Sequence, residues 1–172
     1  PFIRQGNPII FMDNKSAELT KYAANSYLAT KISYMNELAN ISEVLGADID
    51  KVRLGIGTDS RIGKKFLFPG IGYGGSCLPK DVKALVKSSS DVNYDFKILK
   101  SVIFVNENQS KIITKKILKH FGSNIKNRSL SVWGLSFKPN TDDIREAPSL
   151  KIIDELLNFE CKIKVYDPEA IK

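Results

Sequence analysis

The chain has 172 residues, of which 42% are hydrophobic and 26% charged, a composition that suits one large globular domain or one domain and part of another. No stretch is apolar for long enough to span a bilayer, the N-terminus lacks a signal-peptide pattern, and two cysteines, Cys77 and Cys161, make no disulfide framework, so a reducing, cytoplasmic setting is expected. A formal net charge of +7 admits an anionic ligand, but the lysines are scattered and no aromatics interleave with them, so neither nucleic acid nor a membrane is assigned as a partner.

Residues 1–15 read as an irregular lead-in, with Gly6 and Pro8 as breakers. Ser16 is the expected N-cap of a helix running to Leu45, in which Leu19, Tyr22, Ala23, Leu28, Ile32, Met35, Leu38, Ala39 and Val44 recur near helical spacing. Gly46 is the expected C-cap. Some thirty residues make a rod of roughly 45 Å, which calls for a packing surface larger than its own domain. Asp48 is placed to cap a shorter helix ending near Gly55. Residues 57–76 hold six glycines and one proline and read as a structured loop. Pro79 suits the first turn of a helix to about Val86, and a long helix is expected from Tyr94 to Phe121, stopped by Gly122.

The texture then changes. Leu130 to Leu135 is a short apolar run, Pro148 opens a helix to about Leu157, and Lys162 to Tyr166 alternates like a strand. This β-loop-α-β order is the opening of a parallel, Rossmann-like α/β sheet. Two strands alone make a marginal sheet, so this second domain is expected to be incomplete. The expected fold is therefore a mostly α central domain, residues 16–122, followed by a partial α/β domain, residues 123–172.

Chemistry concentrates in Gly70-Ile71-Gly72-Tyr73-Gly74-Gly75-Ser76-Cys77-Leu78-Pro79-Lys80-Asp81. Four glycines let the backbone approach a ligand closely. A cysteine follows, just ahead of a proline-started helix. The positive end of that helix and Lys80 both favour thiolate, and Asp81 lies within one turn. From spacing alone this is either a nucleophile with a cation and a candidate base, or a tight turn around an inert core cysteine. Lys21 and Asn25, four apart, share one face of the long helix; they are either a pair aimed at one oxygen or an exposed polar pair. Cys161, with no glycine loop or helix start beside it, reads as structural. His120 ends a helix and takes no catalytic role.

The segment Gly72–Asp81 resembles the active-site signature of the nucleotide-sugar dehydrogenases, the UDP-glucose/GDP-mannose dehydrogenase family. Residues 17–25, running on to 32–37, resemble that family's central helix, and Trp133–Glu146 resembles the entry to its C-terminal nucleotide-binding domain. Asp59-Ser60-Arg61-Ile62-Gly63 and Phe66-Leu67 look more like the UDP-glucose branch than the GDP-mannose branch. The resemblance implies NAD as cofactor and a four-electron oxidation of UDP-glucose at C6, through a thiohemiacetal and a thioester on Cys77. By the same resemblance Asp81 helps activate water or accepts a proton, and Lys21 and Asn25 stabilise an oxyanion beside C6. Phe66, Leu67, Phe68, Pro69, Gly70 and Gly74 belong to a loop that holds sugar and diphosphate mainly by backbone groups. Lys138 reaches the substrate, Lys80 and Arg145 contact NAD, and Arg61 acts across a homodimer built on helix 16–45. No metal is assigned.

The family's N-terminal NAD domain, with its glycine fingerprint, has no counterpart before residue 16, so residues 1–15 are expected to lead in from it and the chain alone is expected to be inactive. Two readings from other classes stay open: a dimerisation scaffold without chemistry, and a basic module for phosphate or nucleic acid. Within the family, GDP-mannose or UDP-N-acetyl sugars are the alternative substrates.

Overall fold

The computed structural model describes residues 8–171, so the first seven residues of the expected lead-in lie outside the described residues. A first helix, α1, spans Asn14–Leu45. Its N-cap is Asp13 and not Ser16: Asp13 Oδ1 accepts from Ser16 N at 3.0 Å and Oδ2 from Ser16 Oγ at 2.6 Å. A carboxylate at this end accepts the free N–H groups and also meets the positive helix terminus. Gly46 ends the helix in the left-handed region, at φ 71°.

The buried line of α1 differs from its apolar repeat. Ser26, Ala29, Ser33 and Asn36 are buried at spacings of three and four, whereas Leu19 and Val44 lie exposed. Small side chains let other helices approach closely, and two of the polar ones bond across the gap: Ser33 Oγ donates to Val102 O at 3.4 Å and Asn36 Oδ1 accepts from Gly70 N at 2.7 Å.

Helix α2, Ile49–Gly57, is capped by Asp48, whose Oδ1 accepts from Asp50 N at 2.9 Å and Lys51 N at 3.3 Å. Helix α3, Leu78–Asp91, starts around Pro79 as expected but continues past Val86, because nothing between 87 and 91 breaks it. Helix α4, Lys97–Phe121, begins three residues after Tyr94. Tyr94 N instead donates to Ser89 O at 2.8 Å and closes the end of α3. After a 3-10 turn, Gly122–Ile125, strand β1 (Ser129–Trp133), helix α5 (Pro148–Leu157) and strand β2 (Lys162–Tyr166) make one parallel βαβ unit, with Ser129 opposite Lys162 and Trp133 opposite Tyr166.

Two cores result. Ala29, Tyr73, Val82, Leu85, Leu99 and Val102 fill the first, between α1, α3, α4 and the glycine loop. Ile125, Ile152, Leu156 and Cys161 fill the second, under which Ile113, Ile117, Leu118 and Phe121 of α4 pack. Helix α4 therefore belongs to both cores and ties the helical part to the α/β part. Cys161 is a buried core thiol, as its setting suggested. No helix of the described residues is long and apolar enough to cross a membrane.

Candidate active site

Cys77 occupies the N-cap position of α3, exposed and free, and its carbonyl accepts the Asp81 N–H at 2.9 Å. Pro79 suits that first turn because it lacks only an N–H that the helix could not have bonded. The thiol thus sits at the positive end of a 14-residue helix, where partial positive charge favours an anion.

Asp81 is one turn further in and only 2% exposed. Three donors from two helices converge on it. Lys21 Nζ lies 2.9 Å and Asn25 Nδ2 2.5 Å from Oδ2, and Lys80 Nζ lies 3.0 Å from Oδ1. Burial pushes the carboxyl up, but the hydrogen bonds from Lys21, Lys80 and Asn25, with the Lys21 charge, outweigh it and hold the group at about 2. The side chains of Lys21 and Lys80 are otherwise mostly exposed, so both keep donors free. The cluster is a fixed anion presenting two cations and an amide beside a thiol.

Next to Ser76 a cavity of about 400 Å³ is lined by Gly75, Ser76, Pro79, Lys80, Lys83, Arg145 and Glu146. Arg145 forks onto Asp143, which raises the guanidinium pKa, with a smaller contribution from the Cys77 sulfur. The same fork holds Asp143 at about 2. Lys138 lies elsewhere, in a cavity of about 390 Å³ at the C-terminal ends of β1 and β2, its Nζ 5.1 Å from the Phe137 ring centroid. Open parallel sheets take nucleotides in that position.

The glycine loop is docked on the α/β unit. Gly75 N donates to Arg145 O at 2.8 Å. A Cβ on Gly74 would stand 2.3 Å from Glu146 O, and one on Gly75 would stand 2.6 Å from the Phe137 ring. Residues 66–74 are the stretch expected to offer backbone groups to a ligand. Gly74 has no room for a side chain beside Glu146, and Gly70 N and O are bonded to Asn36 and Gln109. Within the rest of that stretch, Leu67 is buried, Pro69 is half-buried, Phe68 is exposed beneath the Arg53 guanidinium at 4.0 Å, and Phe66 holds a left-handed φ of 61°. A bulky residue there is strained. Arg61 forks onto Asp59 of its own turn, Nη2 to Oδ2 at 2.6 Å, and is not among the groups bonded around Asp81.

Sequence reasoning missed two groups. Asn36, Asn106 and Gln109, which grip the glycine loop, show in sequence only as amides interrupting helical stripes. Asp167 shows as an acid directly after a strand, followed by Pro168. Its carboxylate accepts from the backbone N–H groups of Ala170, Leu135, Ser136 and Glu169, which holds it well below the usual range and shapes the cavity around Lys138.

A thiol at a helix start, a carboxylate that gathers two ammonium groups and an amide, and a cavity lined by Lys80, Lys83 and Arg145 thus lie on a helical unit joined to a βαβ unit. The central domain of the UDP-glucose/GDP-mannose dehydrogenase family matches residues 15–108 and that family's UDP binding domain matches residues 131–172, so the chain belongs to this family. It is 52% identical over 164 residues to UDP-glucose 6-dehydrogenase YwqF of Bacillus subtilis (strain 168), covering 95% of this chain and 37% of that protein. It is 45% identical over 170 residues to the UDP-glucose 6-dehydrogenase of Pseudomonas aeruginosa, covering 99% of this chain and 38% of that one. The solved UDP-glucose dehydrogenase of Pyrobaculum islandicum superposes with a TM-score of 0.93 at 36% identity, covering 98% of this chain and 39% of that one. The chain thus spans less than two-fifths of the length of each.

Proposed function

We propose that this chain is the cysteine-bearing part of a UDP-glucose 6-dehydrogenase, whose activity belongs to a longer protein of the relatives' length. The observation that carries the reading is an exposed thiol at the start of α3, one turn from an aspartate that holds Lys21 and Asn25 together.

The residues divide the work as follows. Lys21, with Asn25 beside it, stabilises negative charge on the C6 oxygen as an alkoxide or oxyanion develops. Cys77 adds through sulfur to the C6 aldehyde, giving a thiohemiacetal; loss of the remaining C6 hydride leaves a thioester, which water cleaves to the carboxylate and free thiol. Asp81, held at about 2 and accepting from three donors, is a weak base. Its part is to hold the two oxyanion donors in place, beside the activation of water or acceptance of a proton that the family resemblance implies for it.

NAD suits the cavity beside Ser76, where Lys80, Lys83 and Arg145 offer cationic partners for a pyrophosphate. When bound, NAD takes up the hydride released from C6 in each oxidation. Lys138, at the strand ends, is assigned to the nucleotide sugar, and Arg61 to a neighbouring subunit's substrate. Tyr27, Tyr34 and Ile41 recur every seven residues and are exposed on α1, and exposed Ile98 of α4 shares a cavity with Tyr34. Such a stripe fits a second copy of the chain related by two-fold symmetry. The central domain is taken as residues 16–122 and the α/β domain as 123 onward. Both thiols are free, which fits a cytoplasmic enzyme.

The test is UDP-glucose-dependent NADH formation by the full-length protein, with GDP-mannose and UDP-N-acetyl sugars as competitors. UDP-glucose should be preferred, and Cys77→Ser should lose net UDP-glucuronate production, since a serine hydroxyl is far less acidic than a thiol. Near-normal turnover in Cys77→Ser would falsify the covalent route. Preference for another sugar would move the substrate and keep the mechanism.

A further inference from the structure

The loop that delivers Cys77 is gripped by side-chain amides that take no part in the chemistry above. On α1, Asn36 Oδ1 accepts from Gly70 N at 2.7 Å. On α4, Gln109 Nε2 donates to Gly70 O at 2.9 Å, while its Oε1 accepts from Asn40 Nδ2 at 3.1 Å. Asn106 makes both bonds to one residue: its Oδ1 accepts from Tyr73 N at 2.8 Å and its Nδ2 donates to Tyr73 O at 3.0 Å. That is the two-bond exchange strands use, offered here by a side chain.

The physical need is plain. The loop passes through the first core, where Tyr73 is buried, so its polar backbone needs partners, yet it has no strand beside it. A carboxamide carries a donor and an acceptor in one plane and can serve both backbone groups. Asn36 is fully buried and Gln109 nearly so, which makes these bonds poor candidates for exchange with water. Gly72 fits the same purpose. At φ 114° its absent side chain leaves room for Asn106 Oδ1, which a Cβ would meet at 3.1 Å.

We infer that Asn106, with Asn36 and Gln109, is a positioning clamp that sets the cysteine loop between α1 and α4 and so places Cys77 relative to Lys21. The inference rests on the catalytic reading of Cys77, but the clamp itself can be read without any nucleotide sugar.

The experiment uses Asn106→Asp and Gln109→Leu in the full-length protein. The aspartate keeps the acceptor for Tyr73 N. When ionised it turns a carboxylate oxygen on the Tyr73 carbonyl; when protonated its O–H restores the donor. Lys83, Glu107, Glu146 and Lys151 line the small cavity shared with Asn106 and Tyr73, and they bear on that titration. Two readouts are compared with the wild type: amide hydrogen exchange over residues 70–77, and kcat with UDP-glucose. At about pH 8 both variants should exchange that loop about tenfold faster and lose about tenfold in kcat. Exchange in the second core should stay unchanged. For Asn106→Asp both ratios should return toward one as pH falls toward the carboxyl range, near 4–5. Gln109→Leu should show no such recovery.

Unchanged loop exchange overturns the clamp, whatever the activity does. Faster exchange with full kcat overturns the positioning role. An increase spread over both cores, or a pH-independent Asn106→Asp defect, overturns it as a local device. Absence of turnover on UDP-glucose in the wild type counts against the substrate reading alone, since the exchange arm still decides the clamp.

Discussion

Replacing Asp81 with asparagine removes the one anion shared by Lys21, Asn25 and Lys80. The cost can be worked from the carboxyl's own titration. Holding it at about 2 against an ordinary 3.8 corresponds to roughly 2.5 kcal/mol of preferential binding of the charged form. Both lysine side chains face water along most of their length, and solvent screening reduces the figure to about 1–2 kcal/mol. Asparagine also puts an NH2 in place of one oxygen, which faces an ammonium group whichever way the amide turns, so Asp81→Asn should cost about 1–3 kcal/mol at neutral pH. The pH dependence has a definite sign. A depressed folded-state pKa contributes stability that is complete above about 3.8 and is lost as pH falls through about 2. Asp143 and Asp167 are lowered too, but they titrate in both proteins and cancel in the difference. Urea unfolding of wild type and variant, followed by circular dichroism from about pH 7 down to 2, should therefore show a gap that closes in acid. A gap under about 0.5 kcal/mol at neutral pH, or one that persists undiminished to about pH 2, would refute the three-donor cluster as a source of stability.

Gly74→Ala should lower stability by about 2–3 kcal/mol, because its methyl meets the Glu146 carbonyl and not a movable side chain. Gly70→Ala, with nothing within 4 Å, is the control, and a thermal melt that treats the two alike counts against the docked loop. Tyr34→Glu with Ile98→Glu should convert a dimer into a monomer in sedimentation; a wild-type protein that sediments as a monomer at high concentration removes the proposed role of the α1 stripe.

How much of this was legible in the sequence depends on the range of the interaction. Helix ends set by one residue could be read directly: Gly46 in its left-handed cap, Asp48 accepting two N–H groups, Pro79 and Pro148 in first turns. The parallel βαβ order and the inert setting of Cys161 followed from local pattern in the same way. Three boundaries moved by a few residues, each for a local reason that composition and spacing had ranked lower. Asp13 outranked Ser16 as a cap, Tyr94 closed α3 and did not open α4, and α3 ran on for want of a breaker. The convergence of Lys21 and Asn25 on Asp81 needed α1 and α3 to be packed, since the partners are 60 and 56 residues apart. The buried serine and asparagine line of α1 defeated an apolar-periodicity argument for the same reason. Burial of a polar group depends on what bonds it, and the partners of Ser33 and Asn36, Val102 O on α4 and Gly70 N in the glycine loop, are 69 and 34 residues away. Composition and short-range spacing thus determined which elements form and where the thiol sits among them. Only the tertiary structure decided which amides hold the loop, which carboxylate holds the cations, and which glycines are pressed against a neighbour, because each of those depends on distances between segments far apart in the chain.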